Sequence, residues 1–254
     1  FCTPALTRLQ YVNSSSSCRS SISCDVQPFK TPVNDRSFCI VSAILDSGIG
    51  CHLRNVSLAV LIYADDILLL APTVSALQGL VDLCFMELQS LDREINFKKS
   101  VCMRIGPKFR AECSNIVTGS GHTLNWVQHC RYLGVLIVSA SVFRCNFSDR
   151  KKAFYRSFNS IYGRIGRFAS AEVIVELIRT KCIPLLFYAN EVLPLTSSDY
   201  KSFDYVINGA IRKTFKINSN ETVDYCRAIF CLQPSKDIIS TRRSTFLSRL
   251  QQLD

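Results

Sequence analysis

Leu61-Ile62-Tyr63-Ala64-Asp65-Asp66-Ile67-Leu68-Leu69-Leu70-Ala71-Pro72 places two adjacent carboxylates between two apolar runs. Runs as short as residues 58–61 and 67–70, bracketing an acidic turn, suit a buried β-hairpin. A buried helix is the other reading that so short a run allows. Burying one unpaired charge costs several kcal/mol, and a like charge beside it adds repulsion. Something positive is therefore expected against Asp65 and Asp66. Hard divalent cations such as Mg²⁺ prefer carboxylate oxygens and share their sites with substrate phosphates. The plainer reading is an exposed turn, in which Asp is common.

C-terminal to the hairpin, Pro72 ends the unit and Thr73 is a candidate N-cap. Val74, Leu77, Leu80, Val81, Cys84, Phe85, Leu88 and Leu91 follow as a wide apolar stripe, which predicts a helix of about five turns. Short strands are expected over residues 101–105, 124–127 and 132–138, the first stopped by Gly106-Pro107. Beyond Ser148 the pattern turns helical, with stripes through Phe154 and Phe158, through Ile174 and Leu177, and through Phe203, Val206 and Ile207. N-terminal to the hairpin, the serine-rich residues 1–54 show no sustained period and no helix-length apolar stripe, and read as irregular, with poor order or short strands. The expected organisation is α+β: an irregular segment 1–54, an α+β unit 55–145 carrying the turn, and a helical unit 146–254.

The 254 residues are 48% hydrophobic and 20% charged, which describes a globular chain with a core. The longest apolar stretch, residues 56–72, is interrupted by Asp65 and Asp66 and falls short of a membrane span. A net charge of +10 suits an anionic partner, nucleic acid first, and on charge alone suits the plainer reading of a solvated cationic face equally well. Most of the excess lies from Cys145 onward, where 17 of the 30 Lys and Arg face 10 of the 20 Asp and Glu. Thirteen cysteines make an odd, irregularly spaced set without a Cys-x-x-Cys pair, which argues against a zinc ribbon. Cys113, His122, His129 and Cys130 are a conceivable metal set, although buried free thiols are the ordinary state. No secretory signal is visible, so reduced thiols and an intracellular protein are expected. A first residue other than Met suggests that the beginning is missing.

Taken in order, several stretches resemble the reverse transcriptases of non-LTR (LINE-type) retrotransposons. The Tyr63-Ala64-Asp65-Asp66 turn with its trailing apolar run and Ala71-Pro72 is similar to the catalytic turn of that family. Asn96-Phe97-Lys98-Lys99-Ser100 resembles the next palm motif, and Arg131-Tyr132-Leu133-Gly134-Val135 the segment that grips the primer. Residues 184–189 and 205–215 resemble the helical region beyond. The resemblance covers roughly residues 48–254 and implies a partial palm followed by a thumb-like helical region. It implies RNA-directed DNA polymerase activity in the intact enzyme, by two-metal nucleotidyl transfer. Asp65 and Asp66 would ligate Mg²⁺, and Tyr63 and Ala64 would lie near the primer end and the incoming nucleotide. Lys98 or Lys99 would assist the departing pyrophosphate, and Tyr132, Leu133, Gly134 and Val135 would support the primer. Lys151, Lys152, Arg156, Arg164 and Arg167 would face template–primer phosphates. For the lysines and arginines a solvated surface is the alternative.

The implied partners are an RNA template, a DNA primer and dNTPs. No membrane and no evident protein partner are expected, and the implied location is nucleus or cytoplasm, as a ribonucleoprotein. The pattern departs from the family upstream. An aspartate on an earlier strand, in a motif like Asp-x-x-x-Ala-Phe-Asp, does not occur before Tyr63, and the Gln-Gly loop is lacking. Asp25, Asp35 and Asp46 lack the companion residues. The segment that should carry the third carboxylate is therefore expected to be missing, as in an N-terminally truncated enzyme. Since positioning supplies most of the rate in phosphoryl transfer, little polymerase activity is expected of this chain alone. The alternatives are a catalytically dead relic and a basic nucleic-acid-binding module.

Overall fold

The computed structural model describes residues 5–13, 35–53 and 56–252. It is a mixed α+β chain that separates into two compact units, residues 1–144 and 145–254.

The first unit is built on a seven-stranded sheet. The expected hairpin is present: β4 (Val60–Tyr63) pairs antiparallel with β5 (Asp66–Ala71), and Tyr63 faces Asp66 across the turn. On the other side β5 pairs with β1 (Ala5–Asn13), which pairs antiparallel with β7 (Val101–Arg104) beyond it. β9 (Thr123–Trp126) then runs parallel to β7, and β8 (Ile116–Val117) closes that side. The short β6 (Arg93–Ile95) pairs with the far end of β1. Between β1 and the hairpin the chain forms α1 (Asp35–Asp46) and a two-stranded ribbon, β2 (His52–Leu53) and β3 (Val56–Ser57). Between the hairpin and β7 it forms α2 (Val74–Ser90). The path β1–α1–β4–β5–α2–β7, with sheet order β4-β5-β1-β7, is the split βαβ arrangement.

Period-two alternation sorts each strand between two layers. Ala5 and Leu9 of β1 and Ile67, Leu69 and Ala71 of β5 face Ile40 and Ile44 of α1 and Leu77, Leu80, Val81, Cys84 and Leu88 of α2. Leu6, Leu68 and Met103 point the other way, against Cys130 and Ile137. Apolar residues on both faces account for the unbroken run in β5, and each fully buried Leu or Ile contributes roughly 1.5–3 kcal/mol. α2 starts where Thr73 Oγ1 accepts the Ala76 N–H at 3.1 Å. Gly50, at φ +127°, lets the chain pass so close to Ala59 that a Cβ there would lie 2.3 Å from the Ala59 Cβ.

Two expectations are corrected. Within the segment expected to be irregular, Ala5–Asn13 form β1 in the middle of the sheet and Asp35–Asp46 form α1, which packs on it. The serine run itself lies outside the described residues. Residues 132–138 are not one strand: Leu133 and Gly134, both at positive φ, turn β10 (His129–Tyr132) back into β11 (Val135–Val138). β12 (Arg144–Asn146) carries the chain across the unit boundary.

The second unit is helical: α3 (Ser148–Ile165), α4 (Ala171–Leu177), a π-helical turn Ile178–Cys182, α5 (Ile183–Leu186), α6 (Ser197–Phe215), α7 (Asn220–Ile229) and α8 (Ser235–Leu250). Phe154, Phe158, Phe187 and Phe203 fill its core, Phe187 and Phe203 meeting edge to face at 5.7 Å. A capping box between Thr196 and Asp199 starts α6. Asp204 on α6 accepts from Arg227 of α7 at 3.0 Å and from the backbone N–H of Ser235 at 3.0 Å, which ties three helices together. Among the described residues no helix is long and apolar enough to cross a membrane.

Candidate functional site

The acidic turn is a two-residue hairpin loop in which Ala64 sits at φ +53°. That conformation suits glycine and strains an L residue by about 1–2 kcal/mol. It thrusts Tyr63, which is 64% exposed, and Asp65 into solvent. Asp66, the first residue of β5, falls instead on the sheet face opposite the helices, where it is partly buried.

The central strand meets Asp66 there. Gln10 is its register partner, and Arg8 lies two residues earlier on the same face of β1. Arg8 donates from Nη2 to Asp66 Oδ1 at 2.8 Å and to Oδ2 at 3.2 Å, and from Nε to Oδ1 at 3.2 Å. Gln10 Nε2 donates to the same Oδ1 at 2.7 Å. The side chains of Arg8 and Asp66 keep only 20% and 15% of their exposure, so this pair is sheltered from solvent screening. Arg8 Nη1 reaches across to the carbonyl of Arg131 at 2.6 Å and fastens the β10–β11 hairpin to the turn.

Tyr132 stands next to this cluster. Burial pushes its phenol up from the ordinary range, and the Asp66 charge adds to the shift. The Cys130 thiol is likewise raised by burial. Tyr132 also walls an apolar cavity of about 390 Å³, together with Leu6, Leu68, Leu70 and Ile137. Leu133 and Gly134 are exposed at the hairpin tip, and Val135 is half-buried beyond them. Tyr132, Leu133, Gly134 and Val135 are thus joined to the acidic turn through Arg8. Lys98 and Lys99 occupy an exposed turn after β6, the Lys98 ammonium 6.0 Å over the Phe97 ring. No described contact joins either lysine to Asp65 or Asp66.

In the second unit, Lys152, Arg156, Arg164 and Arg167 are exposed. At 3.6 residues per turn the first three spread over about 120° of α3. Lys151 departs from the expected row: it is half-buried and donates to Ser202 on α6 at 2.8 Å. Adjacent residues diverge by about 100° around a helix, which carries Lys151 toward α6 while Lys152 stays exposed. Arg150 turns inward, buried between the Phe147 and Tyr188 rings and bonded to Asn190.

Mg²⁺ does not fit the residues at the turn. Both oxygens of Asp66 accept from donors already, and a guanidinium stands where a cation would approach. The described part of β1 brings Arg8 and Gln10 rather than a carboxylate. Asp65 alone is too little for an ion that wants near-octahedral oxygen. Asp46 is exposed at the end of α1, bonded to Ser42, and Asp25 lies outside the described residues. Among the described residues no three His, Cys, Asp or Glu converge on a metal position, Cys113, His122, His129 and Cys130 included.

Arg8 and Gln10 are residues of the candidate site that the sequence alone did not single out. The signal was available: residues 5–12 alternate Ala, Thr, Leu and Tyr with Leu, Arg, Gln and Val, a period-two pattern hidden by the serines that follow. Set against known proteins, the chain matches no family model and no curated protein.

Proposed function

We propose that this chain is a palm-and-thumb portion related to non-LTR retrotransposon reverse transcriptases that binds nucleic acid and performs no nucleotidyl transfer by itself. One observation carries the reading: a Tyr-Ala-Asp-Asp turn caps the β4–β5 hairpin of a split βαβ sheet, beside a tight Tyr132–Val135 turn. Motif order alone suggested a palm, and the topology supports it independently. The binding half rests on charge. The net charge is +10, and Lys152, Arg156, Arg164 and Arg167 stand exposed on and just beyond α3. Lys152, Arg156 and Arg164, exposed within about 120° of α3, suit the regular phosphate spacing of a duplex, and an RNA–DNA hybrid is the partner this family implies.

Fluorescence anisotropy with a labelled RNA–DNA hybrid tests this. If the four cations each neutralise one phosphate, log K falls against log salt with a slope of about −3 to −4. Replacing all four by Gln flattens the slope and weakens binding across sequences. An affinity indifferent to salt, or to those replacements, refutes the binding reading and leaves a folded relic. Primer extension with Mg²⁺ is expected to stay at background, and extension abolished by Asp65→Asn refutes the inactive reading.

A further inference from the structure

We propose that Arg8 is the resident cation of the acidic turn: its guanidinium holds the position against Asp66 that a divalent ion would need, so the turn is an ion-pair site independent of metal. The inference relies on the palm reading only for the expectation that an ion belongs there.

Three features support it. The guanidinium engages both Asp66 oxygens, and Gln10 takes a further lone pair of Oδ1. A small ion at about 2.0–2.1 Å would have to displace these donors and sit against a fixed positive charge. Arg8 cannot easily swing aside, because β1 is hydrogen-bonded on both edges and the other end of the guanidinium is held by the Arg131 carbonyl. The arrangement also answers a need of the fold. A largely buried carboxylate on an apolar face requires a counter-charge, and Arg8 supplies one that cannot dissociate.

Mn²⁺ titration of the full chain, read by electron paramagnetic resonance without nucleic acid, tests the proposal. Up to about 1 mM ion, the wild type is expected to hold no more Mn²⁺ than an Asp65→Asn/Asp66→Asn variant. Arg8→Met, which keeps the apolar stem and removes the charge, is expected to bind about tenfold tighter or more, with the gain lost on adding Asp66→Asn. If the Met variant does not fold, Arg8→Gln retains a donor for Asp66 and replaces it. Wild-type binding at tens of micromolar that vanishes in Asp66→Asn overturns the proposal. So does a folded Arg8 variant that binds no tighter than wild type. Hybrid affinity is measured separately without divalent ions, so failure of the binding reading leaves this result standing.

Discussion

Replacing Arg8 by Met should cost the first unit about 2–3 kcal/mol. Removing one partner of a well-buried ion pair typically costs about 3–5 kcal/mol, because the remaining charge is stranded. Here the side chains retain 20% and 15% exposure, so water recovers part of that loss. Gln10 remains as one donor to Asp66. Asp66→Asn should cost less, about 1–2 kcal/mol, since the amide oxygen can still accept from Arg8 and Gln10. The double variant should fall short of the sum by about 1.5–2 kcal/mol, and Arg8→Met/Asp66→Leu should lie near wild type, because an apolar pair needs no desolvation. The chain's one tryptophan, Trp126 on β9, gives a fluorescence signal for urea unfolding of this unit alone. Because the pair is sheltered, the coupling should persist in about 1 M salt, where a surface pair would fade. A loss under about 0.5 kcal/mol in Arg8→Met, or a coupling near zero, would mean that solvent already serves Asp66, and the reasoning fails.

Ala64→Gly should raise stability by about 0.5–1 kcal/mol: it relieves about 1–2 kcal/mol of strain at φ +53° and returns part through the freer unfolded chain. A lower urea midpoint in that variant refutes the strain argument. Burial raises the Cys84 thiol from 9.0 to about 12. Its stabilising effect is therefore complete below pH 9 and declines as the unfolded chain sheds the proton first, by about 1.4 kcal/mol between pH 8 and 10. Cys84→Ala should flatten the pH profile of stability by that amount, and parallel profiles would contradict the burial. Cys102, raised to about 12 by burial, should escape iodoacetamide in the folded chain while exposed Cys231 reacts, as site-resolved mass spectrometry would record.

The elements legible in the sequence are those that carry their own period. The stripe from Val74 through Leu88 gives α2, with Thr73 as its cap, because one helix face must cover a sheet. The hairpin around Asp65 and Asp66 is legible because its strands are apolar on both faces. What escaped reading depends on distant partners. Nothing near Arg8 in sequence announces a carboxylate 58 residues away. Lys151 looks like its basic neighbours until α6 supplies Ser202. α8 buries little beyond Ile239 and Ser235, so its stripe is too thin to show. Tyr132 through Val138 reads as a continuous strand, and only the positive φ of Leu133 and Gly134 folds it into two.

The position of β1 has a bearing on how the protein can be made. It leaves the ribosome before either neighbour exists, and its cross-strand partners lie 58 and 95 residues downstream. The sheet therefore cannot close until most of the first unit has been synthesised, and slow non-local pairing of this kind leaves β strands open to wrong partners. A shortened protein beginning at residue 55 keeps every site residue named by the motif reading. It loses the lane between β5 and β7, and two apolar strands are left with bare amide and carbonyl edges. Such a product would accumulate in inclusion bodies, whereas one that retains β1 can satisfy those edges within itself.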